Sequence, residues 1–112
     1  MSGYLRGDVV LVGFVFSDES GTKLRPAAVV SASGYHRARQ EMIVVAITSN
    51  VERQLYGDHR IADWKLAGLL FPSVATGILR TIKPTMAARK LGSLSKPDLD
   101  AIDRQLRRCL GL

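Results

Sequence analysis

Three stretches of this chain are dominated by β-branched and other apolar residues: VVLVGFVF at 9–16, AAVVS at 27–31 and MIVVAIT at 42–48. Such side chains pack well on a pleated surface and crowd the preceding turn of a helix. The first stretch reads as a buried strand and the other two as the strands that follow it. Pro26 has no N–H to offer a ladder, so it belongs at the start of the second strand or on an edge. Polar segments divide the strands: a loop at 17–23 (SDESGTK), a charged connection at 33–41 and a second polar loop at 50–58. Residues 73–82 read as a further strand, ended by Lys83 and Pro84, and residues 59–61 allow a strand fragment. Residues 61–70 carry Trp64 and apolar residues at helical spacing, which predicts a short helical turn. No internal repeat or low-complexity segment is present.

The C-terminal segment has a different period. Leu99, Ile102, Leu106 and Leu110 recur on one face of a helix. Ser95 followed by Asp98 resembles a capping box with Asp in place of Glu, and Pro97 is tolerated in a first turn. Asp98, Asp100 and Asp103 lie toward the positive end of the helix dipole, and Arg104, Arg107 and Arg108 toward the negative end. Asp100–Arg104 and Asp103–Arg107 are i,i+4 pairs in the better orientation, and Gly111 closes the helix. These arginines read as a solvated face. Short strands followed by one amphipathic helix predict a mainly β fold, a small barrel with a helix packed on it. The 112 residues fit a single domain, 1–112.

The longest apolar run is too short to span a bilayer. Residues 1–8 hold no signal-like hydrophobic stretch. The lone cysteine, Cys109, has no internal partner, so the expected location is the cytoplasm, with no membrane association. Net charge is +6, and residues 1–94 carry twelve Lys/Arg against seven Asp/Glu, so most of the excess belongs to the β part and its loops. A basic excess favours polyanionic partners, although charge alone does not separate a nucleic-acid binder from a protein that is merely basic.

Familiar catalytic patterns are absent: no HExxH, GxxxxGK[ST] or GxSxG, and no Cys/His cluster of the metal-binding type. No metal or other cofactor is expected. His36 and His59 sit in separate polar segments, and nothing in their spacing brings them together as acid and base. They read as ordinary surface histidines. Arg25 opens the second strand and Thr48 ends the third, and neighbouring strands can bring these two ends together. A guanidinium suits a phosphate, and a threonine hydroxyl both donates and accepts. On pattern alone, an arginine before a proline is usually a surface ion-pair former and a strand-end threonine simply a β-former.

The order of the segments adds a resemblance. GDVVLV at 7–12, a polar loop, KLRPAAVVS at 23–31 and AITS at 46–49 are similar to the first half of MazF/PemK (Kid-like) toxins of toxin–antitoxin systems. DWKLAGL at 63–69, PSV at 72–74, RTI at 80–82 and LGSLS at 91–95 extend the resemblance over essentially the whole chain. It implies an SH3-like barrel of the MazF/CcdB/Kid type with a C-terminal helix, forming a homodimer. Burial of a shared apolar face in so short a chain argues for the same assembly. It also implies an endoribonuclease that cuts single-stranded RNA at short sequences without a metal, with Arg25 and Thr48 catalytic. The loop at 17–24 would shape the RNA groove, so Ser17, Asp18, Ser20 and Lys23, with Ser49, Asn50 and Arg53, are the candidate RNA-binding residues. The implied partner is an acidic, MazE-like antitoxin whose flexible tail covers that groove. Many relatives carry an acidic residue, often followed by Gln, where this chain has Gly77 and Ile78, so the target sequence does not transfer. The same barrel also serves as a non-catalytic module, and a related toxin family uses it to inhibit DNA gyrase. An inactive toxin that still binds antitoxin or RNA is the third reading.

Overall fold

The computed structural model describes residues 3–15 and 22–112. Ser17, Asp18 and Ser20 lie outside the described residues. The strands are β1 (Asp8–Val15), β2 (Thr22–Val29), β3 (Met42–Thr48), β4 (His59–Arg60), β5 (Val74–Ile82) and β6 (Ala87–Ser93). They form one sheet in the order β4-β5-β3-β2-β1-β6, with every pairing antiparallel. Two helices complete the described fold, α1 (Ser33–Arg39) and α2 (Lys96–Leu110), with a short 3-10 turn at Pro84–Met86.

The unbroken apolar runs follow from burial on both faces of the strands. Val9, Ala28, Val45 and Ile47 pack with Leu94 and Ile102 in one cluster, joined by Leu99 and Leu106 of α2. Their sequence neighbours Val10, Ala27 and Val44 pack with Val12, Val29, Met42 and Ile82 in the other. Successive side chains of a strand point to opposite faces, so a strand covered on both sides loses the apolar–polar alternation.

β4 and β6 are the sheet edges, and the expected barrel is drawn together by a turn rather than by a ladder between them. Gly68 (φ +79) lies so close to β6 that a Cβ there would fall 2.1 Å from the Leu91 carbonyl oxygen, and one on Gly92 would fall 2.6 Å from Ala67. Only glycine tolerates such an approach together with a left-handed backbone. The turn that reaches β6 spans residues 62–68. Its bonds are mixed: Ala67 N–H to Asp63 O, Gly68 N–H to Lys65 O and Leu69 N–H to Trp64 O. The expected helical turn is therefore a compact irregular coil. Its helical spacing reflects Ile61, Trp64 and Ala67 facing the core.

Strand β2 opens at Thr22 rather than at Arg25, and Pro26 lies inside it, opposite Leu11 and just beyond the residues that pair with β3. Two further elements differ from the sequence reading. Residues 33–39, read as a charged connection, form α1, and β6 was not expected as a strand. Neither contains a fully buried residue, so neither carries the periodic apolar signal on which sequence reading depends. Helix α2 matches its expected limits, with Ser95 as N-cap accepting from the Asp98 N–H and Gly111 (φ 72) as C-cap.

Candidate nucleic-acid interface

Arg25 lies on β2 opposite Val12 of β1, and β3, which ends at Thr48, pairs with the other side of β2. Both residues line one cleft of about 1030 Å³. Its walls come from β2 and β3, from the end of the 62–68 turn with Leu69–Phe71, and from Ile78, Arg80 and Arg89 on the flanking strands. Among the described residues, three arginines and no acidic residue line it. A concave site with one sign of charge focuses the field on an anion.

Thr48 is partly exposed, and its Oγ1 accepts the Asn50 N–H at 3.1 Å. A hydroxyl that is already accepting keeps its own proton to donate. Ser49 also lines the cleft. Lys23 is exposed on β2, and neither it nor Asn50 lines the cleft.

Arg53 is placed elsewhere. Its guanidinium clamps the Asp58 carboxylate with bonds of 2.8 and 3.0 Å, and the Leu55 N–H donates to the same carboxylate at 3.1 Å. The Arg53 hydrogen bond holds the Asp58 carboxyl below the usual range, against the opposing effect of burial. Arg53 thus folds the loop at 50–58.

Sequence reading did not single out Arg80 and Arg89, because pattern alone does not show which strand residues face one cleft. Some other cations are committed: Arg6 pairs with Asp103, Arg39 with Glu41, Lys90 with Asp8 and Lys96 with Asp100. Among the described residues, Arg80 and Arg89 form no ion pair. The bulge in β5 explains why Ile78 reaches the cleft. Between the pairs Val45–Leu79 and Ile47–Ala75 the register slips, and Thr76 Oγ1 bridges the gap to the Ala46 carbonyl at 2.8 Å. Gly77 instead lies close to Gly57 and Cys109 and does not line the cleft.

The histidines are not simple surface residues. His36 lies on α1, with Nε2 2.6 Å from the Ser31 hydroxyl. His59 lies on β4 and donates from Nε2 to Asp98 at 2.8 Å. Asp98 is buried, and also accepts from the Ala62 and Asp63 N–H groups at 2.9 and 2.8 Å and from the Ser95 hydroxyl at 3.2 Å. Burial alone would raise its pKa. The hydrogen bonds from His59, Ala62, Asp63 and Ser95 together outweigh burial and hold the carboxyl below its ordinary value. This cluster fastens α2 to the start of the 62–68 turn, whose far end forms a wall of the cleft.

The sequence profile of PemK-like, MazF-like toxins of type II toxin–antitoxin systems matches residues 5–110. The chain belongs to this family. No curated protein matches it in sequence. Its fold is similar to that of a mycobacterial endoribonuclease solved with its cognate antitoxin, at 19% identity and TM-score 0.80 over 98% of this chain and 97% of that one. It is also similar to the Mycobacterium tuberculosis toxin MazF-mt6, at 21% identity and TM-score 0.75 over 94% and 97% of the two chains. A MazE–MazF structure from Deinococcus radiodurans gives 20% identity and TM-score 0.77 over 97% of each chain. At these identities the likeness concerns the fold. As a member of the toxin family, the chain has a mainly β architecture with a C-terminal helix, and no described helix is long and apolar enough to cross a membrane.

Proposed function

We propose that this toxin is an endoribonuclease that cuts single-stranded RNA by transesterification. The observation that carries the reading is the meeting of Arg25 and Thr48, from adjacent strands, in a cleft with two further arginines and, among the described residues, no acidic lining residue. The ribose 2′-oxygen attacks the adjacent phosphorus while the bond to the 5′-oxygen breaks. The 2′ proton leaves and the 5′-oxygen gains one, giving a 2′,3′-cyclic phosphate and a 5′-OH end. RNA thus supplies its own nucleophile, and no metal-activated water is required. Arg25 stabilises charge building on the phosphorane oxygens, as donors do in an oxyanion hole. Thr48 donates to a phosphate oxygen or orients the 2′-OH. A guanidinium keeps its proton and is a poor base, so Arg25 serves as an electrostatic group. DNA lacks the 2′-OH and is not cut.

Incubation with a long single-stranded RNA in EDTA, followed by mapping of the ends, tests this reading. Discrete cuts ending in cyclic phosphate and 5′-OH are expected. Loss of cutting in EDTA with rescue by a divalent ion overturns it.

The family also supports a homodimer and an antitoxin partner with an acidic, flexible segment. Both RNA and such a peptide present spaced negative charge on an extended chain, so they compete for the cleft. That competition weakens as salt rises.

A further inference from the structure

Phe71 is the one aromatic residue lining the cleft among the described residues, and it is 63% exposed. Leu70 and Ile78, which line the same cleft, are exposed as well, and a group of exposed apolar side chains rimmed by charge marks a binding surface. Mobility does not account for the exposure of Phe71, because its backbone is anchored on both sides. Leu69 before it is buried, and Ser73 after it is buried. The Ser73 hydroxyl donates to the Phe71 carbonyl at 2.8 Å, and the Ser73 carbonyl accepts from Ile61 N–H at 3.0 Å. Pro72 further restricts Phe71 to extended backbone. An aromatic residue on an anchored backbone thus stands at the edge of a cleft whose charged lining groups, among the described residues, are all cations.

We infer that Phe71 is a stacking platform for an unpaired nucleobase next to the phosphate held in the cleft, and so a specificity-determining residue. The chemistry fits single strands. Arginines hold the backbone while a π face takes a base that no complementary strand has covered. A second copy of this chain is a less suitable occupant, since the described lining carries three arginines and no acid, and like patches repel. The inference rests on the proposed nuclease reading, and the test separates the two.

The probes are two labelled single strands that cannot be cleaved: a mixed-sequence deoxyoligonucleotide and an abasic deoxyribose-phosphate chain of equal length. Loss of one stacked base costs about tenfold in affinity. Phe71→Ala is therefore expected to bind the base-bearing strand about tenfold more weakly and the abasic strand unchanged. Phe71→Trp is expected to bind at least as well as wild type, and Phe71→Leu nearly as poorly as Phe71→Ala. Equal binding by Phe71→Leu and wild type, or an equal loss on both probes, overturns stacking. A fall in sedimenting mass on Phe71→Ala assigns the ring to a contact between copies and likewise overturns it. If wild type binds neither probe, the nucleic-acid reading fails and this inference with it. If wild type binds and Phe71 proves indifferent, only this inference fails.

Discussion

The 62–68 turn has a polar cluster at each end, and the two are built to opposite specifications. At its start, Asp98 is buried and accepts four hydrogen bonds, from His59, Ala62, Asp63 and Ser95. At its far end, the cleft gathers exposed Arg25, Arg80 and Arg89 beside a Thr48 hydroxyl with a proton to give. By residue type the first cluster, with Ser, His and Asp, is the more obvious catalytic candidate. By physical state it is a fastening: every acceptor is used within the chain, and no ligand is needed to complete it. The cleft holds charge where an anion can reach it. A polar group informs about function by where it stands, on an open cleft or in a closed core, rather than by how familiar its type is.

The largest effect expected from breaking this contrast is on stability. Asp98→Ala strips the Ala62 and Asp63 N–H groups of their acceptor and leaves His59 without its carboxylate. Removal of one member of a buried charged network costs about 3–5 kcal/mol, or roughly 10–20 °C in melting temperature for a domain of this size. Thermal melting checks this, and an unchanged melting temperature would mean that the cluster is not a fastening. Thr48→Ala belongs to the other side. Cleavage is expected to fall by about two orders of magnitude, or about 3 kcal/mol, with the melting curve little changed.

Arg80→Ala and Arg89→Ala sharpen the picture within the cleft. Each removes one candidate phosphate contact, so the slope of log affinity against log salt should fall by about 0.7 for a single strand. Salt titrations of an uncleavable oligonucleotide measure it, and Arg53→Ala, whose charge is committed to Asp58, should leave the slope unchanged. The smallest effect concerns acid. The Asp98 and Asp58 carboxyls are both held below the ordinary value, which is about 3.9 for Asp. Their contribution to stability is complete above that value and is lost as pH falls through the depressed folded values, because the unfolded chain then binds more protons. Urea melts between neutral pH and pH 3 should show this decline, and Asp98→Asn should flatten it.

The strands that hold the cleft were legible because burial on both faces demands continuous apolar runs, as at Val9–Val10 and Val44–Val45. Helix α2 was legible because one face is apolar and both caps are polar or glycine. β6 was not, since AARKLGS buries no side chain completely and becomes a strand by pairing with β1. Helix α1 has no buried residue and no side-chain cap at Ala32, which removes both signals of a helix. Arg25 and Thr48 stood out by family resemblance, whereas Arg80 and Arg89 carried no signal of their own. Their role depends on which strand ends meet. The Asp98 fastening did leave a trace. The aspartate that stands in place of the glutamate of a capping box accepts from His59 and the 62–63 backbone as well as from the Ser95 hydroxyl.

The central claim is that chemistry resides in the cleft and stability in the Asp98 cluster. It is tested most directly by cleavage rates of Arg25→Ala and His59→Ala, compared in EDTA at a temperature where circular dichroism shows both folded. Arg25→Ala is expected to lose about a hundredfold in rate with little change in melting temperature. His59→Ala is expected to cut at close to the wild-type rate while melting earlier, having lost a hydrogen bond to a charged group worth about 1.5–3 kcal/mol. A folded His59→Ala that fails to cut, beside an Arg25→Ala that cuts normally, would contradict the account.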